Sequence, residues 1–249
     1  MKIGIDDVRA GCDEGVVRTS EFIDGLVSCI GPNIDYIIPD GVRSIIQEGN
    51  NYFVTIEIPP QLHSVRVSTK KHRSTYCEAR VPPGHYRIAM PWIVIIAGIS
   101  VFPGSQFYNQ NSFHECYFMT SRIEDPNRQP VFLPALLNCH RPSPTAVSIC
   151  LGHIPGMTTL PGAIGAVLQA FHGHDFTYSV GEPSHDLYHN TPIGDMRKWE
   201  EMSLADPLFV FSFPWRKLGY TIGSRLRQHR QLSLDDLTRT VFNYVNLKR

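Results

Sequence analysis

The stretch Thr145-Ala146-Val147-Ser148-Ile149-Cys150-Leu151-Gly152 ends an apolar run on a thiol and follows it closely with a glycine. Val147, Ile149 and Leu151 alternate with Ser148 and Cys150, so in extended form the segment has one apolar face and one face of small nucleophilic groups. Cys150 then stands at a strand exit, where another molecule can reach it. The preceding Arg141-Pro142-Ser143-Pro144 reads as a rigid, tight turn, because proline fixes one backbone dihedral, and His140 and His153 bracket the thiol as proton acceptors. A thiol near its ordinary acidity, ~8.5, can take an acyl group from a partner that supplies the geometry, with no base of its own. The opposing reading is plain packing. Free cysteine is among the most buried residue types, and a cysteine in an apolar strand is more often core than nucleophile.

Two other chemistries compete for the same residues. A cysteine hydrolase would pair Cys150 with His153, His172 or His174 as base and with Asp175 or Asp186 as the group that orients it. No local cysteine-protease signature accompanies the thiol, which weighs against this. A metal centre could draw on His172-Gly173-His174 or on His185-Asp186-Leu187-Tyr188-His189, the second pair falling on one helical face. Neither motif carries the glutamate of a metalloprotease helix and no cysteine pair joins them, so capping or packing in a loop is the favoured role; no metal and no cofactor is expected. Trp199, Phe209, Phe211, Phe213 and Trp215 read as core or partner contact, with Phe209, Phe211 and Phe213 alternating as in an extended segment.

Composition narrows the function classes. The 249 residues hold 23 Lys plus Arg against 23 Asp plus Glu, which removes any general electrostatic case for nucleic acid or an anionic membrane. The Arg-rich stretch from Arg225 to Arg230 is a local exception, read as a solvated connection before a last helix. The cysteines (Cys12, Cys29, Cys77, Cys116, Cys139 and Cys150) show no Cys-x-x-Cys spacing, and the start lacks a secretory pattern. A reducing cytoplasm is the expected location. Pro91-Trp92-Ile93-Val94-Ile95-Ile96-Ala97-Gly98 falls short of the roughly 20 residues of a membrane-spanning helix and reads as a central buried strand.

The elements that would position Cys150 follow from periodicity. Phe22, Ile23, Leu26, Val27 and Ile30 mark an opening amphipathic helix, with Thr19 or Ser20 as cap. The runs Val42–Ile46 and Tyr52–Ile58 read as a hairpin closed by Gln47–Asn51, and Pro59-Pro60 ends its second strand. Further strands are predicted over His63–Ser68, over Tyr86–Ile99 with a break near Met90-Pro91, and over Phe113–Thr120, together forming an antiparallel meander. Past the thiol, Thr159 as cap and Pro161 open a helix with Ile164, Val167, Leu168 and Phe171 facing the core. A shorter helix covers Ile193–Met202, and a final one runs from Ser233 through Val245. The fold class is α+β, a meander sheet with flanking helices.

Placed on this layout, His140-Arg141-Pro142-Ser143 ahead of Ser148-Ile149-Cys150-Leu151 resembles the ubiquitin-conjugating enzyme fold, in which a His-Pro-Asn turn precedes a strand ending in Ile-Cys-Leu. Longer segments, Gly41–Ile45, Val54–Gln61 and Tyr86–Val94, are similar to the prokaryotic ubiquitin-conjugating-enzyme-like family that includes the PRTRC system B proteins. The resemblance covers residues 38–215, leaving 1–37 as a helical lead and 216–249 as a helical extension. It implies an aminoacyl transferase: Cys150 receives the C-terminus of a ubiquitin-like protein from a ThiF-type activating enzyme and passes it to an amine, with a JAB-type metalloprotease as a further partner. Ser143 occupies the place of the family's turn asparagine, which is held to support the turn and the oxyanion, and Gly152 and His153 replace the usual acidic residue after Cys-Leu. Asn138 is an amide nearby but precedes the turn. These departures open a further reading, a conjugating-enzyme-like module that binds a partner and forms no thioester.

Overall fold

A computed structural model describes residues 39–67, 83–102, 106–109, 114–143, 146–173, 193 and 195–229. The expected helices over Ser20–Ile30 and from Ser233 lie outside the described residues, as do His174, Asp175, His185, Asp186 and His189.

The β-branched runs become strands. β1 (Val42–Glu48) and β2 (Asn51–Ile58) form the expected hairpin, turning on Gly49 and Asn50. β2 then pairs antiparallel with β5 (Trp92–Phe102), while β3 (Gln61–Val67) pairs with β4 (Gly84–Met90). Ile58 faces Ile93 before the break and Gln61 faces Met90 after it, so the register runs unbroken through Pro59, Pro60 and Pro91. The two ladders share one register and are interrupted, as two separate sheets, where proline removes the ladder's N–H donors. β5 is flanked by β2 on one side and by β6 (Gln106–Asn109) and β7 (Glu115–Met119) on the other. β8 (Cys139–Ser143) and β9 (Ala146–Ile149) complete a seven-stranded sheet of order β1-β2-β5-β7-β9-β8, with β6 paired to β5. The fold is α+β, with antiparallel sheets and a few helices.

β5 is buried on both faces, Ile93 through Ala97 having no exposure, which is why its sequence is continuously apolar. α1 (Leu160–Gly173) packs on β5 and β6 through a face that includes Ala163, Ile164, Val167 and Phe171. α2 (Met196–Ala205) starts three residues later than the periodicity suggests, because Asp195 is its cap and accepts from Lys198 N at 2.8 Å. Its side chains finish the outer edge of β4. Ala89 N donates to Ser203 Oγ at 2.8 Å, Trp199 Nε1 donates to Ala89 O at 3.0 Å, and Arg87 N donates to Glu200 Oε1 at 2.7 Å.

Two expectations are corrected here. Phe209, Phe211 and Phe213 do not form an extended segment: Phe209–Ser212 is a short helix, α3, held by Phe209 N donating to Asp206 O and Phe211 N to Leu208 O. The region from Arg225 is not a solvated connection. Residues 222–229 form helix α4, and Arg225 is 4% exposed, its guanidinium bound to both oxygens of Glu115 on β7. His229 Nε2 lies 3.0 Å from the same carboxylate and its ring stacks on Phe53, while Tyr117 Oη donates to Glu115 Oε2 at 2.5 Å. Burial alone would push the Glu115 carboxyl up, but the hydrogen bonds and charges of His229 and Arg225 outweigh it and hold it below the usual carboxylate range.

Gly41 carries a structural requirement. Its φ is +88°, its carbonyl accepts from Glu57 N at 2.7 Å, and a Cβ there would collide with the Glu57 carbonyl oxygen. Gly41→Ala is expected to cost about 1–3 kcal/mol, read as a lower urea midpoint; an unchanged midpoint would show that the start of β1 yields freely.

Candidate active site around Cys150

The chain reaches Cys150 through a tight hairpin. Ser143 faces Ala146 with only Pro144 and Thr145 between them, His140 faces Ser148, and Cys139 faces Ile149. The segment expected to turn, Arg141–Ser143, is therefore strand. Among the described residues β8 lies at the sheet's edge, where Pro142 needs no donor for a neighbour, so the proline that suggested a turn is tolerated in a strand. Ser143 consequently sits at the far end of the hairpin, four residues of rise or about 13 Å from Cys150 along the strand. His140 lies midway, opposite Ser148, and His153 is exposed on the loop that follows the thiol.

Asn138, which precedes the expected turn, is brought beside Cys150 instead. Cys150 N donates to Asn138 O at 2.9 Å, and Asn138 Nδ2 donates to Cys150 O at 3.0 Å. A partial signal was present in the sequence: counting back from a two-residue link at Pro144-Thr145 sets residue 138 opposite residue 151, and an irregularity between His140 and Ser143 shifts the pairing by one, to Cys150.

After Cys150 the chain leaves the sheet at once. Gly152 takes φ +71°, a conformation that favours glycine, and the loop is then pinned to β6 by Phe107 N donating to Met157 O at 2.7 Å and Met157 N to Phe107 O at 2.9 Å. Thr159 caps α1 as expected, its Oγ1 accepting from Gly162 N at 3.1 Å. Cys150 thus stands between the end of β9 and the start of α1, partly exposed, while Cys116 and Cys139 are buried. Burial pushes the Cys139 thiol well up, helped by a hydrogen bond to Cys116 and by the nearness of Cys116 and Cys150, so Cys139 stays protonated and unreactive.

His114 is the buried imidazole of this region. Its carbonyl accepts from Ile149 N at 2.9 Å, both ring nitrogens lack hydrogen-bond partners, and burial lowers its pKa to about 4. Since neither nitrogen is bonded to anything, His114 does not engage the thiol. His63 is also lowered to about 4, by burial and then by the charge of His172, whose ring stacks on it with centroids 5.5 Å apart. Among the described residues no three His, Cys, Asp or Glu side chains converge as a metal centre would require.

The two lowered histidines predict acid sensitivity. Each stays neutral in the folded chain down to about pH 4 but gains a proton near 6.5 when unfolded. Between those values the unfolded state binds more protons, so stability falls as pH drops through that window. From His114 alone the loss at pH 5 relative to pH 7.5 is about 2 kcal/mol. Urea unfolding of His114→Leu should show a correspondingly shallower decline over that range, and a decline as steep as wild type would refute the assignment.

Comparison of the chain with protein-family models gives no match, and comparisons with curated proteins and with solved structures give none either. No helix among the described residues is long and apolar enough to cross a membrane.

Proposed function

We propose that the protein is a carrier of a ubiquitin-like modifier, holding it as a thioester on Cys150 and releasing it to an amine, with the cytoplasm as its place of action. The observation that carries the reading is the position of Cys150: of the cysteines in the described residues it has access to solvent, and it is fixed where the sheet hands over to α1. The element order adds support. Antiparallel strands come first, then the cysteine at a strand end and then a helix, the order the resemblance to ubiquitin-conjugating enzymes implies, while its turn at Arg141–Ser143 is replaced by strand.

In the proposed reaction the Cys150 sulfur attacks the carbonyl of the modifier's C-terminal thioester on a ThiF-type activating enzyme. A new C–S bond forms, the donor's C–S bond breaks, and the departing thiolate takes up the proton that Cys150 gives. An amine then attacks the Cys150 thioester, forming an amide and returning the thiol. Both steps exchange one acyl linkage for another and need no oxidant.

The test is reconstitution: the protein with an activating enzyme, its ubiquitin-like protein and ATP, resolved on a gel without reductant. An adduct that vanishes with thiol supports the carrier reading. A second reading, a binding module without chemistry, is favoured by the place of Ser143 at the far end of the hairpin. It would be supported by a stable complex with the modifier that never becomes covalent.

A further inference from the structure

Asn138 makes a contact that a regular hairpin would leave to the backbone. In an antiparallel hydrogen-bonded pair each residue gives its N–H to the other's carbonyl. Cys150 does so, donating to Asn138 O. The return bond is different, because the chain turns at Leu137 and Asn138, with Cys139 N donating to Leu136 O, and the side-chain amide of Asn138 takes the place of its backbone N–H on the Cys150 carbonyl. Asn138 is 1% exposed, and its Oδ1 is buried without a partner. An orphaned buried acceptor is destabilising, so the site keeps this amide at the expense of stability.

We propose that Asn138 is a positioning residue for Cys150. By holding both the N–H and the C=O of Cys150, it leaves the thiol little freedom beyond rotation about its own Cα–Cβ bond, and so presents the sulfur to an incoming acyl carbonyl in a fixed place. The inference rests on Cys150 being the reacting nucleophile and deepens that reading. It also gives the site an amide that Ser143, at the other end of the hairpin, does not bring to it.

The test needs no protein partner. A short peptide ending in a glycyl thioester serves as acyl donor and iodoacetamide as alkylating probe, each read at Cys150 by mass spectrometry on the full chain. Asn138→Ala should lower the rate of acyl transfer about tenfold at saturating donor while leaving the pH midpoint of alkylation in place. Asn138→Leu keeps the side chain's bulk but cannot donate to the Cys150 carbonyl, and should lower the rate to the same extent. A purely structural asparagine would leave acyl transfer by either folded variant at the wild-type rate. Wild-type transfer by Asn138→Ala or by Asn138→Leu would overturn the proposal. Should Asn138→Ala fail to fold, Asn138→Leu decides alone. If wild-type Cys150 takes neither the acyl group nor the alkyl group, the carrier reading itself has failed, and that outcome is distinct from a wild-type rate in the variant.

Discussion

Cys150→Ala is expected to abolish the thiol-sensitive adduct completely, and Cys150→Ser to replace it with an oxygen ester that survives reductant. The difference is chemical: a hydroxyl in the same place can accept the acyl group, but its ester resists thiols, whereas alanine has no nucleophile. Cys139→Ala should leave the adduct intact, because that thiol is buried, hydrogen-bonded with Cys116 and kept protonated. The measurement is a gel with and without reductant, followed by peptide mapping of the linked residue. Equal adduct from wild type and Cys150→Ala would remove Cys150 from the mechanism.

The largest effect on stability is expected at Arg225. Arg225→Met leaves the Glu115 carboxylate buried with His229 and Tyr117 but without its guanidinium partner. Breaking a buried ion pair from one side typically costs about 3–5 kcal/mol, because the surviving charge is uncompensated. Glu115→Gln combined with Arg225→Met should recover part of that loss, since the stranded charge is gone. Chemical denaturation of the four proteins of this cycle gives the coupling directly. Additive losses would mean that the pair is solvated and that α4 is anchored by apolar contacts alone.

The sheet was largely legible in the sequence, and the site only partly so. β1, β2 and β5 announced themselves because β-branched residues in half-buried or buried strands leave a local trace, and Pro91 marked the break between β4 and β5 because a missing N–H is also a local property. Thr159 and Cys150 were readable for the same reason: a cap and a strand exit depend on near neighbours. Arg225 was not, since the partner that makes it a buried residue is on β7, more than a hundred positions earlier, and sequence spacing carries no sign of that pairing. The turn expected at Arg141–Ser143 failed on a subtler point. Proline forbids a central strand but not an edge, and which strand lies at the edge is a property of the whole sheet. From that one misplacement followed the exchange of Ser143 for Asn138 beside the thiol.

The fastening of β4 by α2 bears on how this chain behaves when it is partly unfolded. Ser203, Trp199 and Glu200 occupy backbone groups of Arg87 and Ala89 that would otherwise be open to a further strand. An uncovered edge of that kind is a template for pairing with another chain, and here it belongs to a hairpin whose buried side chains include Val65, Val67, Tyr86 and Ile88. Local detachment of α2, well short of global unfolding, would therefore be enough to seed self-association. Crowded expression or mild heating should reveal loss of the helix first as precipitation, ahead of any collapse of the central sheet.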